Sequence, residues 1–156
     1  MKKQEIQNLI KEIIEKTNAV VKEVAIEEKS PKSVWFSVEV DNPYFFTNRG
    51  GEALSAINHL VRRIVEGKIP PESPDSFDIL VDINGFQKKR IEGIHAVAHM
   101  MAERARYFKS SIEVEPMSAF DRRIVHEFLS EATDLKTEST GEGLSRRVVI
   151  KYIGSI

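Results

Sequence analysis

The strongest constraint on the fold is an alternation of apolar and polar side chains, with Trp35 and Leu80 as exceptions, in two segments, Ser33–Asp41 and Phe77–Asn84. Successive side chains of a strand point to opposite faces of its sheet, so each segment predicts a strand with one buried face. A sheet with one apolar face must pack against another layer. The alternating apolar residues are Val34, Phe36, Val38, Val40, Phe77, Ile79, Val81 and Ile83.

Amphipathic helices supply that second layer. Apolar residues recur with helical spacing over residues 3–16 and again over Glu52–Glu66, which predicts two helices with one buried stripe each. Residues 18–28 are rich in Val and Ile and predict a strand antiparallel to the one at Ser33–Asp41. Residues 1–86 therefore have the predicted order α-β-β-α-β.

The rest of the chain predicts a second unit of order α-β-α-β-β, with the boundary at Gly85-Phe86. Ser118, with Asp121 three residues later, is typical of a helix N-cap. We therefore expect an α+β protein with two domains, residues 1–86 and 87–156. The predicted elements of the second domain are a helix over 87–108, a strand over 112–115, a helix after Ser118 with Phe120, Ile124, Phe128 and Leu129 inward, and strands over 135–139 and 146–152.

Composition excludes several classes of function. The chain has no cysteine, so disulfides, Cys-ligated zinc, iron–sulfur clusters and thiol catalysis are excluded. The N-terminus is amphipathic and contains acidic residues, unlike a signal or transit peptide, and no apolar run has the length of a membrane span. We therefore expect a cytoplasmic protein. No nucleophile elbow, Walker loop or dinucleotide fingerprint is present, so we expect a binding protein that needs no cofactor and is not an enzyme.

Charge is unevenly distributed along the chain, although its net value is only −1. Residues 1–86 contain 11 basic and 14 acidic side chains, whereas residues 87–156 contain 12 and 10. Seven of the ten arginines lie in the second part. Because guanidinium groups form forked hydrogen bonds with phosphate, an anionic partner is expected on the C-terminal half.

One stripe of the long helix has the spacing of metal ligands. Glu92, His95, His99 and Glu103 follow one another at intervals of three or four residues. A single helix provides only part of a metal shell, however, and no second motif of this kind occurs in the sequence. Glu–His pairing along one solvated helix face is the simpler interpretation, so we predict no metal site.

Arg122 and His126 lie one turn apart on a predicted helix and form a compact donor pair for phosphate or sugar oxygens. A solvated helix face is the alternative. Arg146 and Arg147 point to opposite sides of the last strand, with Lys151 on the side of Arg147, so one of the two arginines can extend the same surface. The alternative for that strand is a charged sheet edge that prevents aggregation.

A glycine-rich loop precedes the helix at Glu52–Glu66. Gly50 and Gly51 lie directly before the helix N-terminus, where backbone N–H groups favour phosphate, and Arg49 adds a positive charge. A simple tight turn is the alternative. Three aromatic residues of the same loop are candidates for stacking on bases, with one or two expected in the core: Tyr44, Phe45 and Phe46.

Residues 115–151 resemble the R-three-H domain, which is named for an arginine and a histidine separated by three residues. The upstream β-helix-β order resembles the KH domain that precedes it in bacterial Jag proteins. The matching segments are Arg122/His126, Glu115-Pro116-Met117, Thr137-Glu138-Ser139, Gly141-Glu142-Gly143, Arg146 to Ile150, GGEALSAINHLV and FDILVDINGF.

The resemblance implies a protein that binds single-stranded nucleic acid, mostly RNA, with roles in cell elongation, division or sporulation. A KH domain holds nucleotides over a Gly-x-x-Gly loop, and its four positions correspond here to residues 48–51. Asn48 replaces the first glycine, so Arg49, Gly50 and Gly51 are expected to form a second, weaker contact. Arg122 and His126 are the main expected contact. A protein-interaction scaffold whose altered loop no longer binds nucleic acid is the alternative function.

Overall fold

The computed structural model describes residues 1–154 and divides the chain into two compact units, Met1–Lys88 and Lys89–Ile156. The α+β class and the predicted order of elements are confirmed. The first unit contains α1 and α2, β1 to β3 and the start of α3, and the second contains the rest. The elements are α1 (Lys3–Glu15), β1 (Val21–Ser30), β2 (Ser33–Val40), α2 (Tyr44–Glu66), β3 (Asp78–Ile83), α3 (Phe86–Phe108), β4 (Ile112–Glu113), α4 (Ala119–Leu129), β5 (Leu135–Thr140) and β6 (Arg147–Tyr152).

The first unit is a three-stranded sheet of order β1-β2-β3 that packs against helices. β1 and β2 form an antiparallel hairpin, whereas β2 and β3 are parallel, which requires a crossover connection and explains the position of α2. The alternating residues predicted to be buried in β2 are at most 2% exposed, and they pack with the inner stripes of both helices. The core residues of the helices include Ile6, Ile10, Ile14, Leu54, Ile57 and Val61.

A buried amide protects the outer edge of β3. Asp78 and Asn84 direct their backbone N–H groups toward the side of β2, so the backbone groups of Val81 point the other way. There the side chain of Asn58 accepts from the Val81 N–H at 2.8 Å and donates to its carbonyl at 2.9 Å, and it also donates to the carbonyl of Leu54. Asn58 therefore joins α2 to β3 and satisfies polar groups that would otherwise be buried without partners.

The second unit is an antiparallel sheet of order β4-β6-β5 with α4 packed against β5 and β6. Its core combines small alanines of α3 with branched residues of the sheet and of α4. The buried residues of α4 are Val125 and Leu129, whereas Phe128 is 41% exposed. The prediction that Phe128 points inward is therefore wrong, and the helix is turned so that Val125 takes the inward position.

Several element boundaries differ from the predicted ones. β1 begins at Val21, three residues later than expected, and β4 ends at Glu113 rather than at residue 115. The segment Tyr44–Thr47, predicted as loop, is helical and forms the first turn of α2. No helix within residues 1–154 is both long enough and apolar enough to cross a membrane.

Candidate nucleic-acid interface

The start of α4 is fixed by the predicted cap. The hydroxyl of Ser118 accepts a hydrogen bond from the backbone N–H of Asp121 at 3.2 Å, which confirms the N-cap. With the helix begun there, Arg122 and His126 lie one turn apart beside the inward residues Val125 and Leu129. Both side chains are consequently half-buried rather than on the side of the helix opposite the core.

Arg122 and Arg146 lie on either side of Met117. One terminal nitrogen of Arg122 donates to the carbonyl of Met117 at 2.7 Å, and the N–H of Met117 donates to the carbonyl of Arg146 at 3.2 Å. The guanidinium of Arg146 in turn donates to the carbonyl of Gly141 at 2.8 Å. Both arginines therefore bind neutral carbonyl groups, and their positive charges remain available for an anion.

Four of the other five arginines of this unit differ in this respect. Four of the seven form ion pairs with carboxylates. Arg106, for example, binds both Glu103 and Asp134, which raises the pKa of the guanidinium and lowers that of the Asp134 carboxyl. Within residues 1–154, neither Arg122 nor Arg146 has a carboxylate at ion-pair distance. The four ion-paired arginines are Arg90, Arg106, Arg123 and Arg147.

The imidazole of His126 is held between two hydroxyl groups of β5. Its Nδ1 lies 2.7 Å from Oγ1 of Thr137, and its Nε2 lies 2.9 Å from Oγ of Ser139. Burial of the ring, together with the positive charge of Arg122, lowers the pKa of His126. The ring is therefore neutral at pH 7, and its two nitrogens are engaged by the protein itself.

Arg147 lies on the opposite face of the sheet. Thr137 and Ser139 are aligned with core residues of β6, whereas Arg147 is aligned with Thr140 on the other face. There Nε of Arg147 binds Glu113 at 2.8 Å, which raises the pKa of Arg147. Lys151 shares that face, as predicted, and binds Glu138 at 2.7 Å. Of the two arginines that could extend the Arg122 surface, the structure brings Arg146 to it.

The glycine-rich loop lies in the first unit and interrupts α2. The break begins at Asn48, whose ψ of 163° is extended, and continues through Arg49, Gly50 and Gly51, which have left-handed φ values of +51°, +69° and +81°. Arg49 and Gly50 are exposed, whereas Gly51 is buried beneath the ring of Phe86. A Cβ atom at residue 51 would lie 2.5 Å from Cε1 of that ring, so only glycine fits there.

Of the three aromatic residues before this loop, one is buried and two are exposed, as expected. Phe46 is fully buried, while Tyr44 and Phe45 are 70% and 57% exposed. Two exposed rings thus lie within a few residues of Arg49 and provide flat surfaces of the kind on which unpaired bases stack.

The histidine–glutamate stripe of α3 has other contacts. The ring of His95 stacks on Phe128 with centroids 4.5 Å apart, and Glu103 binds Arg106 at 2.7 Å. Among the residues that the structure describes, no three histidine or acidic side chains converge as a metal site would require.

Sequence reasoning missed Thr137 and Ser139 as parts of the site. Both residues lie in the Thr137-Glu138-Ser139 segment that carries the R-three-H resemblance, but the resemblance gave them no contact. Their other sequence signal is a pair of hydroxyl residues two positions apart on a strand, which places them on one face. That pattern is common on sheet surfaces. Only the position of α4 shows that the two hydroxyls meet a histidine.

Comparison with known proteins supports the class of domain predicted for the second unit. Residues 92–152 match the R-three-H domain family, which confirms the resemblance inferred from the sequence of the second unit. The chain is also homologous to proteins named RNA-binding protein KhpB. That of Bacillus subtilis (strain 168) is 28% identical over 127 residues, covering 80% of this chain and 59% of the relative.

Two further relatives carry the same name. The protein of Clostridium symbiosum is 24% identical over 142 residues, covering 90% of this chain and 62% of the relative. That of Streptococcus pneumoniae serotype 2 is 19% identical over 151 residues, covering 94% of this chain and 45% of the relative. The chain thus spans between 45% and 62% of the length of these relatives.

Proposed function

We propose that this chain binds single-stranded nucleic acid, RNA in preference to DNA, and catalyses no reaction. The observation that carries this proposal is the pair Arg122 and Arg146, whose charges are not neutralised, in a domain where four other arginines are ion-paired. Guanidinium groups with free N–H donors bind phosphate oxygens, and the phosphate backbone provides most of the affinity in non-specific binding. The name that the relatives share supports RNA as the ligand.

The loop at residues 48–51 forms a second contact in this proposal. Its left-handed backbone exposes Arg49 and Gly50 at the start of a helix, where a phosphate is favoured by the helix dipole. Tyr44 and Phe45 provide exposed rings for base stacking. Asn48 adds a side chain at the position of the usual first glycine, which restricts the approach of the strand and makes this the weaker of the two contacts.

A direct titration tests the proposal. The affinity of the full chain for labelled RNA and DNA single strands of about ten nucleotides would be measured by fluorescence anisotropy at two salt concentrations. We expect binding that weakens as salt is added. Absence of binding at low salt, or affinity independent of salt, would contradict the proposal and favour the scaffold alternative. Crosslinking in cells followed by recovery of RNA would separate the same two functions.

A further inference from the structure

The most informative local arrangement is the chain of hydrogen bonds from Thr137 through His126 to Ser139. Thr137 and Ser139 are both half-buried residues, so each is partly accessible from solvent. Among the described residues, the imidazole is the hydrogen-bond partner of each hydroxyl, at 2.7 Å for Thr137 and 2.9 Å for Ser139. Neither hydroxyl is needed by the backbone, so each has hydrogen-bonding capacity left for a ligand.

A neutral imidazole gives the two hydroxyls opposite roles. One ring nitrogen carries a proton and donates it, while the other accepts. The hydroxyl that accepts from the ring keeps its own proton for a ligand, whereas the hydroxyl that donates to the ring can only accept from a ligand. This conclusion holds for either tautomer, which decides only whether Thr137 or Ser139 has each role.

The backbones of DNA and RNA differ in the groups they offer to such a pair. Phosphate and deoxyribose oxygens of a DNA strand are all acceptors, so they can satisfy only the hydroxyl that keeps its proton. The 2′-hydroxyl of RNA is both a donor and an acceptor. It alone, among the groups of the sugar–phosphate chain, can donate to the hydroxyl whose proton is used on His126.

Resting on the proposed function, we infer that Thr137 and Ser139 bind the RNA backbone directly, one to a phosphate oxygen and the other to a ribose 2′-hydroxyl, and so select RNA over DNA. Alternate residues of a strand are about 7 Å apart, so the two hydroxyls reach neighbouring groups of the strand rather than one atom. Arg122, one turn from His126, supplies positive charge for the phosphate. His126 is the positioning residue that assigns the two roles.

Single-hydroxyl variants of the full chain test this inference. Thr137→Val and Ser139→Ala each remove one hydroxyl, and Thr140→Val is the matched control because Thr140 lies on the other face of the same strand. Affinity for an RNA of about ten nucleotides and for the DNA of the same sequence would be measured at low salt, with thermal melting to verify folding. A 2′-O-methyl RNA of that sequence serves as a third probe, since it lacks the donor proton.

The expected pattern is asymmetric. The wild-type chain binds RNA about fivefold more tightly than DNA or 2′-O-methyl RNA, the value of one hydrogen bond. One variant loses this preference with DNA affinity unchanged, the other weakens RNA and DNA alike by a similar factor, and Thr140→Val changes neither.

Three results would overturn the inference while leaving nucleic-acid binding intact. These are equal wild-type affinity for RNA and DNA, 2′-O-methyl RNA that binds as tightly as RNA, or hydroxyl variants that both change the two affinities equally. Absence of binding to all three probes at low salt overturns the proposed function itself, and this inference with it.

Discussion

Two arginines, Arg122 and Arg146, carry charges that no carboxylate of the described residues compensates. Replacing both should remove most of the salt dependence of nucleic-acid binding. Changing Arg122 and Arg146 to Gln removes both charges while keeping an N–H donor for the carbonyls of Met117 and Gly141. The control is Arg123→Gln with Arg147→Gln, which alters neighbouring positions on the same helix and at the start of β6. The two double variants have the same net charge, so non-specific attraction changes equally in both.

The expected size of the change in salt dependence follows from counterion release. For single strands, log K falls by about 0.7 per unit of log salt for each phosphate that is neutralised. If Arg49 is the third contact, the slope is about −2, and affinity falls about 20-fold between ~50 and ~200 mM salt. Without the first two arginines, the slope is about −0.7, and the fall is about threefold. At low salt the loss is up to about 30-fold, since each of the two exposed charge contacts contributes up to about 1 kcal/mol.

Anisotropy titrations at four or more salt concentrations would measure these slopes. Melting curves would first establish that both double variants fold. The reasoning is refuted if the control variant loses as much slope as the first one. It is refuted equally if the first variant retains the wild-type slope.

Three further predictions concern stability. Because the pKa of His126 is lowered in the fold, the unfolded chain takes up the proton more readily. The free energy of unfolding should therefore fall as the pH drops from about 7 to about 5. Melting temperatures should fall over the same pH range, and the His126→Gln variant should lack this decrease. Gly51→Ala places a methyl group against Phe86 and should cost about 2–3 kcal/mol in urea denaturation. In Gly50→Ala the added Cβ has no atom within 4 Å, so the substitution should cost only about 1–2 kcal/mol, from the left-handed backbone. Equal costs for Gly51→Ala and Gly50→Ala would contradict the argument that Phe86 packs against Gly51. Asn58→Ala leaves two backbone groups of β3 unpaired and should cost about 3 kcal/mol, whereas a cost below about 1 would show that water replaces the amide.

The elements whose apolar residues recur with one clear period were predictable from the sequence. The alternation in β2 and β3 fixes which face is buried, because a shift by one residue would expose every apolar side chain. The cap at Ser118 was equally predictable, since it depends on two residues three positions apart. Such features are local, and tertiary packing has little freedom to alter them.

The orientation of α4 was not predictable in the same way. Its apolar residues occur in adjacent pairs, Ile124 with Val125 and Phe128 with Leu129, and adjacent positions are about 100° apart around a helix. Both orientations bury an apolar stripe, so the periodicity alone does not choose between them. Packing against the sheet selects Val125, and Phe128 stacks on His95 instead.

That rotation changes the chemistry of the Arg-x-x-x-His signature. If both residues were on a solvated face, they would form two donors for one anion. Beside the sheet, His126 meets two hydroxyls and becomes harder to protonate, since a second charge would be desolvated and would be repelled by Arg122. In the proposed interface a neutral ring adds no positive charge for phosphate binding, so the arginine would provide the attraction and the histidine would orient the hydroxyl groups. The spacing of four residues fits this proposed division of roles, because residues one turn apart lie on the same side of the helix.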